Sequence, residues 1–130
     1  MEIKYKQYVV IPKSIKMSVG KAASQTAHAT FMALEQQKED KIIKKWKESG
    51  MCVIVLECST PLQIMGIAKY LEQWNIPHHL YIDEGLTEVE MGTPTALATG
   101  VLDESHHWIF EKLNLYTDED SSYFKKLLRK

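Results

Sequence analysis

Two strand-like runs late in the chain, Pro77 to Ile82 (PHHLYI) and Thr95 to Leu102 (TALATGVL), are joined by the segment Asp83 to Pro94, which holds Gly85 and Gly92. That segment is too short for the helical crossover of a parallel connection. The earlier runs, Tyr5 to Pro12 (YKQYVVIP) and Met51 to Glu57 (MCVIVLE), are instead separated by helix-forming sequence. Gly20 to Lys38 is alanine-rich and free of proline and internal glycine, with Ser18 as a plausible cap. A second helix is expected over Asp40 to Glu48, stopped by Gly50. Ser59-Thr60-Pro61 opens a third that ends near Asn75, with Leu62, Met65, Ile67, Ala68 and Leu71 as its core-facing stripe. Residues 103–113 read as a further helix. The order β-α-α-β-α-β-β-α predicts an α/β fold whose layers pack on a four-stranded sheet.

At 130 residues, 45% hydrophobic and 25% charged, the chain has the make-up of one soluble domain. Residues 1–116 are expected to form it, with 117–130 as a polar extension carrying its own short helix. No apolar run approaches the ~20 residues of a membrane span, and Met1-Glu2-Ile3-Lys4 leads into mixed sequence without a signal-peptide core, so a cytoplasmic protein is expected. Cys52 and Cys58 on one strand would lie ~20 Å apart, beyond the ~7 Å reach of a disulfide, and read as reduced core thiols.

The formal net charge of −1 gives no bulk attraction to nucleic acid, but the charge is unevenly spread. Lys4, Lys6, Lys13, Lys16 and Lys21 crowd the first segment, and Lys38, Lys41, Lys44, Lys45 and Lys47 follow. Between residues 80 and 104 there are acids (Asp83, Glu84, Glu88, Glu90, Asp103, Glu104) and no Lys or Arg. An RNA-binding surface must therefore draw on the first third.

Lys21, Gln25 and His28 are spaced i, i+4, i+7 and share one polar stripe of the first helix. Ala23, Ala27, Thr30 and Leu34 occupy roughly the opposite side, which is expected to pack on the sheet and leave the stripe outward. Spacing alone fits a solvated face as well as a site, and His28 fits a plain surface histidine. Lys21 is the anomaly: the first turn favours anions, so a lysine there adds charge to an anion site instead of serving the helix. The second constellation is Asp83-Glu84-Gly85-Leu86-Thr87 with Gly92-Thr93-Pro94-Thr95, an acid at a strand's carboxyl end followed by a hydroxyl-rich return. Asp83 also fits an ordinary Asx turn.

Met17-Ser18-Val19-Gly20-Lys21-Ala22-Ala23-Ser24-Gln25-Thr26-Ala27-His28-Ala29, joined to Asp83-x-Gly85-x-Thr87, Gly92-Thr93-x-Thr95 and the closing Gly100, resembles the type 2 peptidyl-tRNA hydrolase family over roughly residues 4–113. The resemblance implies a mixed four-stranded sheet flanked by helices, a homodimer, and cleavage of the ester that joins a peptide to the terminal ribose of tRNA. It implies Lys21, Asp83, Thr87 and Thr95 as catalytic residues, and Gln25, His28, Gly20 and Thr93 as substrate contacts, with no cofactor. Val19 and Leu86 stand where the family usually carries cations, and Pro12-Lys13-Ser14-Ile15 replaces its Arg-x-Asp-Leu stretch.

Ester hydrolysis needs an activated water, a stabilised oxyanion and help for the leaving oxygen. In this reading Asp83 orients or deprotonates water, and Lys21 with nearby N–H groups stabilises the oxyanion. Thr87 and Thr95 hold the substrate or the carboxylate, and Gln25 and His28 contact substrate or position Lys21. Two other readings keep the fold: a repurposed binding domain without catalysis, and an esterase or amidase for a small molecule, which suits the acidic loop. His78-His79 and His106-His107 lack zinc-ligand spacing, so no metal is expected. No Gly-x4-Gly-Lys-Ser/Thr phosphate loop is present, and the Met and Trp residues read as core. Ala22, Ala29 and Ala33 are small enough to permit a close helix approach in the implied dimer.

Overall fold

The structure, a computed structural model, describes residues 3–85 and 89–117. Leu86, Thr87 and the expected helix of the C-terminal extension lie outside the described residues.

The elements follow the expected order. β1 (Lys6–Pro12) leads into α1 (Val19–Gln36) and α2 (Asp40–Glu48), then β2 (Val53–Cys58), α3 (Pro61–Gln73), β3 (His78–Ile82) and β4 (Pro94–Leu102). Ser18 caps α1 by accepting a hydrogen bond from the Lys21 N–H, and Thr60 caps α3 ahead of its Pro61. The expected last helix is instead a 3₁₀ segment, Glu104–Phe110, begun by the Asp103 side chain accepting from the Ser105 N–H. A fifth strand, β5 (Asn114–Leu115), corrects the count of four: it is two residues long, too short to register as an alternating pattern.

The five strands form one sheet in the order β3-β4-β1-β2-β5. It is mixed: β1 runs parallel to β2, whereas β4 is antiparallel to both β1 and β3, and β5 to β2. The short β3–β4 connection allows no other sense. Central β1 and β4 are buried along almost their whole length because both faces are covered.

On one face, α3 and the 3₁₀ segment pack Ile64, Leu71 and Phe110 against Tyr8, Val10, Leu56 and Leu97. The buried positions of α3 are Ile64 and Leu71, with Ile67 and Ala68 partly covered. That i, i+3, i+4, i+7 set leaves Leu62 (78% exposed) and Met65 (50% exposed) off the stripe expected for them. On the other face, Ala29 and Ala33 of α1 lie on Val9, Ile11, Ala96 and Ala98.

This packing reverses the expected orientation of α1. Gln25, Ala29 and Ala33 are its buried residues, whereas Ala23 and Ala27 face solvent. Small side chains on both surfaces let the helix approach β4 closely, and the one buried polar group finds partners there. Ala29 and Ala33 are thus spent inside the chain's own core and are not a dimer surface. No helix among the described residues is long and apolar enough to cross a membrane.

Candidate active site

The inward turn of α1 brings its polar stripe onto the end of β3 and the start of β4. Lys21 Nζ donates to Asp83 Oδ1 at 2.9 Å, and the two side chains are only 11% and 5% exposed. Gln25 Nε2 donates to the same Asp83 oxygen at 3.1 Å and to Thr95 Oγ1 at 2.7 Å. Four of the residues singled out in the sequence therefore form one connected network from α1, β4 and the loop after β3.

The loop is built around Asp83. Its second oxygen, Oδ2, accepts from the Gly85 N–H at 3.0 Å, so the Asx turn and the site are the same feature. Gly85 has φ +77°, and a Cβ there would sit 2.7 Å from Met91 backbone atoms; only glycine fits. The loop closes on itself where Asp83 N–H donates to Thr93 O and Gly92 N–H to Asp83 O, both at 2.9 Å. Thr93 Oγ1 donates to Glu90 O at 2.7 Å, which ties this hydroxyl to the loop.

The electrostatics follow from these contacts. The hydrogen bond from Lys21 is the largest influence on the Asp83 carboxyl and, with the Gly85 N–H and Gln25, holds it below the usual carboxylate range against the opposing effect of burial. A carboxylate stabilised in this way is a weak base. It is suited to fixing the ammonium and orienting a water through the remaining lone pair of Oδ2.

The remaining expected residues are placed differently. Gly20 is exposed in the first turn of α1. His28 is exposed and lies flat on Tyr81, centroids 4.7 Å apart and planes 12° from parallel. Tyr81 was missed in the sequence, although the alternation His79-Tyr81-Asp83 along one strand face could have found it. Thr87 lies outside the described residues. Each histidine of the two pairs has a partner of its own: His78 Nδ1 lies 2.8 Å from Ile76 O, His79 Nδ1 3.1 Å from Gln36 Nε2, His106 Nδ1 3.1 Å from Ser105 Oγ, and His107 Nε2 3.4 Å from Leu102 O. Among the described residues no group of three or more His, Cys, Asp or Glu side chains is placed to share a metal ion.

Comparison with known proteins places this geometry in a lineage. The family described as Peptidyl-tRNA hydrolase PTH2 matches residues 5–116. A peptidyl-tRNA hydrolase of Thermococcus onnurineus is 39% identical over 99 residues, 75% of this chain and 84% of that protein. One of Haloquadratum walsbyi is 36% identical over 112 residues, 85% of this chain and 99% of that protein. A solved structure of a protein of unknown function from Agrobacterium tumefaciens strain C58 has TM-score 0.53 at 13% identity, covering 89% of this chain and all of that one, and shares the fold. With the family matched from β1 through β5, and with Lys21, Gln25, Asp83 and Thr95 joined in one network, the chain belongs to the type 2 peptidyl-tRNA hydrolase family.

Proposed function

We propose that the protein hydrolyses the ester bond of peptidyl-tRNA, releasing the peptide as a carboxylic acid and the tRNA with a free terminal hydroxyl. Family membership supports the reaction, and the Lys21–Asp83 pair between α1 and the loop after β3 is the observation that carries the site. Water adds to the ester carbonyl, negative charge gathers on the carbonyl oxygen, and the ribose oxygen leaves and takes a proton.

In this reading Lys21 meets the developing oxyanion. One of its ammonium protons is engaged by Asp83, and the others are free to turn toward substrate, since no second partner occurs among the described residues. Asp83 holds Lys21 in place and orients the attacking water. Thr95 is fully buried, so it acts through Gln25, which it positions against Asp83. Gly20 and His28, exposed along the same helix, face the incoming substrate; Thr93 shapes the loop, and Thr87 belongs to the same stretch. Residues 1–116 are the catalytic domain and 117–130 an extension of it. A cytoplasmic location, expected from the sequence, and a homodimer, implied by the family resemblance, belong to this reading, and a light-scattering mass near the 15.0 kDa monomer at high concentration would remove the dimer from it.

The test is direct: purified protein is incubated with peptidyl-tRNA and free tRNA is measured. Release by the wild type, lowered on the order of 10²–10³-fold by Lys21→Ala, supports the reading. No release, or a Lys21→Ala variant within about twofold of wild type, overturns it.

A further inference from the structure

The outer edge of the site carries aromatic surface that ester chemistry does not use. β3 and the residue that follows it present His79, Tyr81 and Asp83 to α1 in sequence, meeting Gln36, His28 and Lys21 with Gln25, so strand and helix run in opposite directions. His28 rests one imidazole face on Tyr81 and is itself exposed. Ser24 Oγ, 3.5 Å from Nε2, flanks the ring edge. Phe31, three residues further along and adjacent on the helix surface, leaves 62% of itself in solvent. A supported imidazole and a bare phenyl side by side are the elements of a base-stacking platform.

From this arrangement we infer that His28, backed by Tyr81, and Phe31 bind the unpaired nucleobases at the 3′ end of the tRNA, the terminal base on His28 and the one before it on Phe31. The inference rests on peptidyl-tRNA as the substrate and adds how its end is held. The spacing fits. Tyr81 lies two strand residues, about 7 Å, from Asp83, and His28 lies seven helical residues, about 10 Å, from Lys21. The distance between a ribose 3′-oxygen and the centre of its own base is of that order, so an ester held at Lys21 leaves its base over His28. The next base then falls further along α1, where Phe31 stands. Stacking needs no positive charge, which suits a loop carrying Asp83, Glu84 and Glu90 and a helix that starts at an uncharged Val19.

The experiment uses the whole protein and two RNA hairpins of one acceptor-stem sequence. The first ends in 2-aminopurine, whose fluorescence is quenched by stacking, and the second ends in an abasic ribose. Wild type should quench the first and bind it on the order of tenfold or more tighter than the second. His28→Ala and Phe31→Ala should each weaken binding, His28→Ala should bind both hairpins alike, and His28→Tyr should recover the difference. Phe31→Ala alters a side chain outside the core, so it reports even if loss of His28 disturbs Tyr81. Equal binding of both hairpins by wild type overturns the platform, as does continued discrimination by His28→Ala. It is also overturned if the variants' losses on peptidyl-tRNA follow the peptide's side chains and ignore the terminal base. A wild type that discriminates the hairpins but releases no tRNA from peptidyl-tRNA supports the platform and removes the hydrolase reading alone.

Discussion

Gln25 on α1 donates to the Thr95 hydroxyl on β4 across 2.7 Å, although the two residues are 1% and 0% exposed. The same amide nitrogen reaches Asp83, so both of its protons are used and a helix, a strand and a loop are pinned at one point. Such a buried polar group is stabilising only while every member keeps its partner.

Gln25→Leu keeps the approximate shape and removes the donors. Thr95 and Asp83 then remain buried with fewer partners, an expected loss of roughly 1–3 kcal/mol in urea unfolding. Because Asp83 loses a positioning contact, hydrolysis of peptidyl-tRNA should fall on the order of 10–10²-fold. Unchanged stability together with unchanged activity would show that the network is incidental.

Asp83 ties the site to acid stability. Its carboxyl titrates below its ordinary value of 3.8 in the folded chain, chiefly because Lys21 donates to it. The unfolded chain therefore binds the proton first as pH falls. The contribution of the pair is complete above 3.8 and is lost as pH drops below it through the depressed folded value. The stability difference between wild type and Asp83→Asn should thus be constant from about pH 7 to pH 5 and shrink below 3.8. Asp103 is also lowered, mainly by Ser105, but it is present in both proteins and cancels. A gap that closes already near neutral pH would contradict the assignment.

Gly100 makes a separate, purely structural prediction. Gln37 clasps β4 through two bonds to Val101: Nε2 donates to its O at 3.0 Å and Oε1 accepts from its N–H at 2.8 Å. A Cβ on Gly100 would stand 2.6 Å from that Oε1 and 2.8 Å from Cδ. Gly100→Ala must therefore displace a buried, doubly bonded side chain, at an expected cost of about 1–3 kcal/mol. Adding Gln37→Ala should remove the clash, so the pair of changes should destabilise by less than the sum of the two measured singly. Additive losses in thermal or urea melts would refute the clasp.

Element order was legible because helix caps and strand runs are local signals: Ser18, Thr60-Pro61 and Gly50 mark boundaries that the structure keeps. The face of α1 was not. Lys21, Gln25 and His28 are polar, and polar stripes ordinarily face water; here the burial of Gln25 depends on Thr95, seventy positions away, which no helical window contains. The motif named Lys21, Gln25, Asp83 and Thr95, which the fold brings into one network, but it could not show that Thr93 is turned into its loop or that Tyr81 supports His28. β5 was invisible for the opposite reason: two residues carry no periodicity, and their strand exists only because β2 offers an edge.

The last prediction concerns Val19 and Leu86, the two positions where the family resemblance implies cations. Val19 is 69% exposed two residues before Lys21, where it can reach a phosphate only if replaced, and Leu86 follows the Gly85 turn in sequence. Each phosphate contact contributes about 0.7–0.9 to the slope of log affinity against log salt, so restoring two should steepen it by roughly 1.5. Val19→Lys with Leu86→Arg is therefore expected to tighten tRNA binding most at low salt and to raise kcat/KM on peptidyl-tRNA. Cleavage of a small ester without phosphates should respond far less, since both substitutions leave Lys21 and Asp83 themselves unchanged. If the double variant binds tRNA no better at low salt, phosphate recognition is not what these positions lost. A domain repurposed away from tRNA would then explain Val19 and Leu86 better than a hydrolase with a weakened grip.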